Sequence, residues 1–257
     1  MRDRARAFRL ERVSLKFDDV EVLRELSLEI VRGEFVAVVG PSGCGKTTLL
    51  NVLSGHDLPS SGAIEREGRE RMVYQQDGLF PWLTVSQNIA LGLRHLKDQS
   101  ERERQVRDLL DLIRLEGFEN HYPHQVSGGM RQRVELARAL AGDSETILMD
   151  EPFSSLDYLT RIRMRQELAR ILETRPRTVV LVTHDIEEAA QLADRVIVLT
   201  ERPARIQCEL SIREPRPRGL TDPAVVRAAG RLLVELGIQG DGDRDAAGRG
   251  QTIHEEE

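Results

Sequence analysis

The chain has 257 residues, 40% of them hydrophobic and 31% charged, with a formal net charge of −6. That is enough for one large α/β domain with a helical insertion, and the acidic balance argues against a nucleic-acid partner held by phosphate neutralisation. No apolar run approaches the ~18 residues that span a bilayer, and Met1-Arg-Asp-Arg-Ala-Arg6 is not followed by the hydrophobic stretch of a secretory signal, so any membrane association is expected to come through a partner.

Residues 8 to 80 read as strands enclosing one helix. The apolar run Phe35 to Val39 predicts a buried strand, and Gly40-Pro-Ser-Gly-Cys-Gly-Lys-Thr47 follows it directly, ahead of the helical apolar positions Leu49, Leu50, Val52 and Leu53. The form G-x-x-x-x-G-K-T between strand and helix is that of a loop wrapped around phosphate. Gly40, Gly43 and Gly45 remove side chains that would keep backbone N–H groups from phosphate oxygens. Pro41, Ser42, Cys44 and Thr48 complete the cradle, Lys46 adds charge toward the β- and γ-phosphates, and Thr47 is placed to hold Mg²⁺ at the helix start. Cys44 and Cys208 offer no disulfide framework and suit a reducing compartment. A thiol at a helix N-terminus is open to a lowered pKa, but a small buried loop filler is the favoured reading of Cys44.

Further along, Arg71-Met-Val-Tyr74 reads as a short strand delivering Gln75, with Leu79-Phe-Pro-Trp82 close behind. From 82 to about 125 the periodicity is helical and charged, with Val106, Leu109, Leu110 and Ile113 as a buried stripe. Val126-Ser-Gly-Gly-Met-Arg-Gln-Arg133 opens another helix, apolar at Met130, Val134, Ala137, Leu140 and Ala141. Ser127 is a natural N-cap, and Gly128 and Gly129 leave first-turn N–H groups bare, a second anion site. Ile147-Leu-Met-Asp-Glu151 is a buried strand ending in two acids, suited to a metal ligand (Asp150) and a general base (Glu151). Val179 to Thr183 is a similar strand delivering His184, and the next helix opens with an Asp185-Ile-Glu-Glu188 capping box. Ligands of an open parallel sheet lie outside the carboxyl ends of its strands, so Lys46, Gln75, Glu151 and His184 are expected to share one crevice. Residues 201 to 219, rich in proline and arginine, are expected to be extended, and Thr221-Asp-Pro to Gly237 predicts a short helix. The tail from Gly240 to Glu257 has little apolar content to bury and is expected to be disordered.

Taken together, GPSGCGKT, Gln75, VSGGMRQR, ILMDEP, Ser154-Ser-Leu-Asp157 and His184 resemble the motifs of ABC ATPases, over about residues 8 to 210. The resemblance implies an α/β P-loop NTPase (RecA-like) core with an inserted α-helical subdomain, about 82–133, and N-terminal antiparallel β elements. It implies one domain, 8–239, followed by the tail 240–257. By resemblance, Ser127 and Gly129 reach the γ-phosphate held by a second, identical subunit, and Asp157 lies in the loop linking the two sites. Gln75 joins Thr47 and Asp150 around Mg²⁺, with Gln76 as an alternative register for the loop glutamine. Phe17 matches the aromatic that stacks on adenine, against the alternative of a core strand residue. Met130 stands where the family usually has glutamine. Gln75 to Trp82, VSGGM, the run from Leu192 and Pro215-Arg-Pro-Arg218 look like the nitrate/sulfonate/taurine importer branch. That branch implies an ATP-hydrolysing homodimer, peripheral on the cytoplasmic face of the membrane, working with an integral-membrane permease and, indirectly, an extracytoplasmic solute-binding protein. Leu79 to Trp82 then contributes to a groove for a permease helix, although a buried staple also suits Trp82. The alternative function is a soluble ABC ATPase that remodels another complex. The chain has no Asn-Lys-x-Asp element for reading guanine.

Overall fold

A computed structural model describes residues 5–74 and 78–238; Gln75, Gln76 and the tail from Gly240 lie outside these. Strands β1 (Arg6–Phe17) and β2 (Val20–Val31) pair antiparallel, and β4 (Ser61–Arg66) adds to the other edge of β1. Between them runs β3 (Phe35–Val39), which leads through the phosphate loop into α1 (Lys46–Leu53). β3 lies inside a second sheet of order β5-β6-β7-β3-β8-β9, formed with β5 (Glu70–Val73), β6 (Thr146–Asp150), β7 (Thr178–Val182), β8 (Arg195–Leu199) and β9 (Ile206–Ser211). All its pairings are parallel except β8 with β9.

Every residue of β3 is buried, as a parallel strand covered on both faces requires. Its side chains alternate between two cores: Phe35, Ala37 and Val39 face the helical side, and Val36 and Val38 face the β1–β2 sheet and α1. β5 is different. It ends the sheet, so of Arg71 to Tyr74 only Val73 is fully covered, and Tyr74 is exposed.

Four elements occupy the middle of the chain: α2 (Val85–Ala90), α3 (Gln99–Leu112), a 3₁₀ turn (Pro123–Gln125) and α4 (Gly128–Ala141). Of the expected α3 stripe, Val106, Leu110 and Ile113 are buried, with Leu109 partly so at its rim. The core resumes with β6, α5 (Tyr158–Thr174), β7, α6 (Ile186–Leu192) and β8. The Asp185 carboxylate caps α6 by accepting the Glu188 N–H (3.0 Å). The expected reciprocal half of that capping box does not form, because the Glu188 side chain turns inward and accepts from the Thr183 hydroxyl (2.8 Å).

The segment expected to be merely extended supplies β9 and then two structural arginines. Arg218 is almost fully buried and donates to the carbonyls of Glu214 (2.5 Å), Ala193 (2.6 Å) and Ile212 (3.3 Å). Arg216 donates to Leu192 O (3.1 Å) and lies over the Phe35 ring. These guanidinium groups satisfy carbonyls left open where α6 ends. The helix α7 (Pro223–Glu235) then packs on α6 through Ala224, Val225, Ala228 and Leu232.

Candidate active site at the carboxyl edge of the sheet

The phosphate loop leaves β3 at Gly40, where a Cβ would stand 2.9 Å from Leu199 O and 3.1 Å from the Cys44 sulfur. At Gly45, φ is +124° and a Cβ would come within 2.8 Å of the Val22 side chain, so both conformation and space demand glycine. Cys44 is buried beneath the loop and burial pushes its thiol up, which makes it a filler and not a reactive thiol. The Lys46 ammonium donates to the carbonyls of Gly40 and Pro41, both at 2.9 Å, and is thereby held across the loop. Ser42, Gly43 and Thr47 face solvent, while Pro41 and Thr48 are half-buried.

Parallel registry brings the acids alongside. Asp150, the last residue of β6, pairs with Val182 of β7, and the Glu151 N–H donates to Val182 O (2.9 Å). Burial pushes the Asp150 carboxyl up, and a hydrogen bond from the Thr47 hydroxyl opposes it; Glu151 adds to the rise and Lys46 opposes it. Thr47 and Asp150, far apart in sequence, are therefore in contact. Glu151 adopts φ +46°, unusual for a residue with a side chain. Its carboxylate Oε1 lies 3.0 Å from His184 Nδ1, so the acid and the histidine form one pair at the ends of β6 and β7.

The Thr47–Asp150 contact bears on whether Mg²⁺ suits the site. A hydroxyl and a carboxylate in contact are hard oxygen donors, as that ion prefers. Among the described residues no group of three or more His, Cys, Asp or Glu is placed to hold a metal. The protein thus offers a partial shell, the usual arrangement where Mg²⁺ also takes phosphate and water oxygens.

α4 supplies the second anion site. The Ser127 hydroxyl accepts the Met130 N–H (3.2 Å), and a Cβ at Gly129 would lie 3.2 Å from a Leu156 methyl. The Met130 side chain packs partly against the helical core. Among the described residues no hydrogen bond joins Ser127, Gly128 or Gly129 to the phosphate loop. Phe17, at the end of β1, is 47% exposed, so the core alternative does not hold for it. Asp157 caps α5 by accepting the Thr160 N–H (3.0 Å). Trp82 is 69% exposed and leans on Phe80 with ring centroids 5.4 Å apart, which removes the buried-staple reading.

Two residues of α4 escaped the sequence reading. Gln132 is buried, donates to Glu151 O (3.2 Å) and accepts the Ser155 N–H (3.2 Å). Glu135 is buried and accepts the Gly78 N–H (2.9 Å), while Arg138 donates to Gly78 O (3.0 Å). The helix that opens at Ser127 therefore touches the Glu151 turn on one side and the loop after β5 on the other. The available signal was a polar residue on the inward face of a helix, and it does not say what lies opposite.

A family profile for ABC transporters matches residues 23–154. The aliphatic sulfonates import ATP-binding protein of Agrobacterium fabrum is 40% identical over 237 residues, covering 91% of this chain and 85% of that one. The chain belongs to the ABC transporter family. It is an ATP-binding, ATP-hydrolysing subunit of that family. The nitrate import ATP-binding protein of Synechococcus elongatus is 45% identical over 208 residues, 76% of this chain and 32% of that one. Among solved ABC structures, a dimeric cassette in a post-hydrolysis state bound to ADP and Pi superposes with TM-score 0.72 at 33% identity, covering 80% of this chain and 99% of that one. The α/β P-loop fold expected from the motifs is the fold of these ABC cassettes.

Proposed function

We propose that this subunit energises uptake of a small anionic solute, of the nitrate, sulfonate or taurine type, by hydrolysing ATP between two copies of itself. The carrying observation is the Glu151–His184 pair at 3.0 Å, set beside a phosphate loop whose Lys46 and Thr47 face the same sheet edge. The loop N–H groups and Lys46 bind the β- and γ-phosphates, and the exposed Phe17 ring stacks on the base. Thr47 and Asp150, with Gln75, are the residues that would hold Mg²⁺, whose chemistry is to neutralise phosphate charge. Glu151 accepts the proton of the attacking water as its oxygen bonds to the γ-phosphorus, the bond to the β-phosphate oxygen breaks, and ADP leaves. His184 orients Glu151 and donates toward the γ-phosphate.

Among the described residues no hydrogen bond from the N–H groups of Ser127, Gly128 or Gly129 is seen, and these groups suit the γ-phosphate of a second copy. Tyr74, Phe80 and Trp82 are exposed, and Phe80 lines a cavity of about 290 Å³ together with Arg71, Leu91, Arg94 and Arg138. That surface suits a helix of an integral-membrane permease, which would place the subunit on the cytoplasmic face, with a solute-binding protein on the other side. Among the described residues no helix is long and apolar enough to cross a membrane. The relatives' roles in sulfonate and nitrate import favour transport over remodelling of a soluble complex.

The test is Glu151→Gln, which keeps the shape of the acid but removes its basicity, at a cost of about 10² to 10⁴ in rate. By light scattering this variant should dimerise with ATP and not with ADP, and adding Ser127→Arg should abolish the dimer while ATP still binds. A double variant that dimerises with ATP as the single one does would refute the cross-subunit arrangement.

A further inference from the structure

An ionic cluster built around buried Arg165 and Glu188 flanks His184. Arg165 of α5, 1% exposed, donates to the Asp185 carboxylate and lies 3.6 Å from Glu188 Oε2. One turn earlier, Arg161 lies 3.4 Å from the same Asp185 oxygen and donates to the Leu156 carbonyl (3.1 Å). The Thr183 hydroxyl donates to Glu188 Oε2 (2.8 Å) and accepts the Asp185 N–H (2.9 Å). Both neighbours of His184 are thus held by the cluster, and Arg161 ties it to the Ser154–Asp157 loop. Arg165 and Glu188 are buried while Asp185 and Arg161 are half-buried; burying the first two charges is costly, and apolar side chains would fill their space without that cost. The second carboxylate oxygen of Glu188, Oε1, is buried with no hydrogen-bond partner among the described residues. An unpartnered buried oxygen is a place for a proton.

We propose that Arg165, Asp185 and Glu188 are positioning residues for His184, and that ionised Glu188 is the form that holds the histidine and the Ser154–Asp157 loop in register for hydrolysis. The inference rests on the role given to His184 above. With Glu188 ionised, Arg165 is shared between two carboxylates and the Thr183 bond is charge-assisted, so both ends of Thr183–Asp185 are pinned. A proton on Glu188 leaves Arg165 to Asp185 alone and weakens the Thr183 bond. The change falls in a useful range: burial pushes the Glu188 carboxyl up to about 7, against the pull of Arg165, the Thr183 hydroxyl and Arg161, with Asp185 adding to the rise. Lys46 and Phe17 lie outside this network, so ATP binding should be indifferent to it.

The experiment measures kcat and KM for ATP between about pH 5.5 and 8.5, a range in which histidines also titrate, so the variants must discriminate. Glu188→Gln should lower kcat at the alkaline end about fivefold with KM unchanged, and should shrink the difference between the two ends of the profile. Thr183→Val, which removes a donor to the charged carboxylate, should move the acid limb of kcat to higher pH. Circular dichroism and ATP-dependent light scattering establish that each variant folds; if Glu188→Gln does not, the Thr183→Val shift decides. If both variants keep the parent's kcat profile while His184→Ala is inactive, the positioning proposal is overturned and the role of His184 stands. If His184→Ala hydrolyses ATP at the parent's rate, the reading beneath it fails instead.

Discussion

Lys46 shows how one side chain serves ground state and transition state alike. Its ammonium already lies across the phosphate loop, with the Gly40 and Pro41 carbonyls holding it, so little is lost in ordering it when phosphate arrives. Lys46→Ala should weaken ATP affinity by about tenfold or more, the equivalent of one charged hydrogen bond, and should depress hydrolysis with it. Titration calorimetry and phosphate release check the two effects separately; unaltered hydrolysis would remove the assignment. Phe17 makes a narrower prediction. An exposed aromatic at a strand end has little packing to lose, so Phe17→Ala should leave the melting temperature nearly unchanged while costing about 1 to 3 kcal/mol of ATP binding through lost base stacking. Equal ATP affinity in variant and parent would refute the stacking role.

At the scale of elements, α4 and α6 carry most of the site's organisation. α4, capped by Ser127, passes Gln132 beneath the Glu151 turn and reaches the Gly78 loop through Glu135 and Arg138, so anion site, general base and post-β5 loop share one rigid rod. α6 follows His184 and is fixed at its far end by Arg218. Arg218→Met keeps most of the side-chain volume but strands several buried carbonyls. The expected loss is about 3 kcal/mol, measurable by urea unfolding, since an unsatisfied buried polar group costs roughly 1 to 3 kcal/mol. A loss indistinguishable from zero would mean that water replaces the guanidinium and that α6 needs no such anchor.

For the whole molecule, the ionic cluster makes stability depend on pH. The folded chain raises the Glu188 carboxyl from an ordinary 4.5 to about 7, so folding favours its protonated form. That contribution is fully present below the ordinary value and is lost as pH rises toward 7, above which the fold bears the cost of an ionised buried acid. Glu188→Gln removes the titration. Its melting temperature relative to the parent should therefore climb between about pH 5 and pH 8, by about 2 to 4 °C for each kcal/mol relieved in a chain of this size. Parallel melting curves at all pH values would refute the assignment of this titration to Glu188.

Much of the chemistry was legible in the residues, because phosphate binding and strand-end acids demand particular residue types at short spacing. Gly40 to Thr47, Asp150, Glu151 and His184 lie within single strand-to-loop segments, so their motifs could be read without knowing the partners. The sheet order then set them side by side, and sequence could not supply it, since the β6–β7 and β7–β3 pairings join segments far apart along the chain. The same limit explains the misread residues. Glu188 had the spacing of a capping box, yet a buried Arg165 and the Thr183 hydroxyl offered its carboxylate stronger partners than a backbone N–H. For Trp82 the sequence leaves an exposed groove position and a buried staple both open, and its 69% exposure decides against the staple. Gln132 and Glu135 were plain polar residues in a helical pattern until the Glu151 turn and the Gly78 loop packed against them. Local residue type determined which groups are able to bind phosphate; the tertiary structure decided how they are brought together, because contacts such as Thr47 with Asp150, Gln132 with the Glu151 carbonyl and Glu151 with His184 join separate elements of the chain.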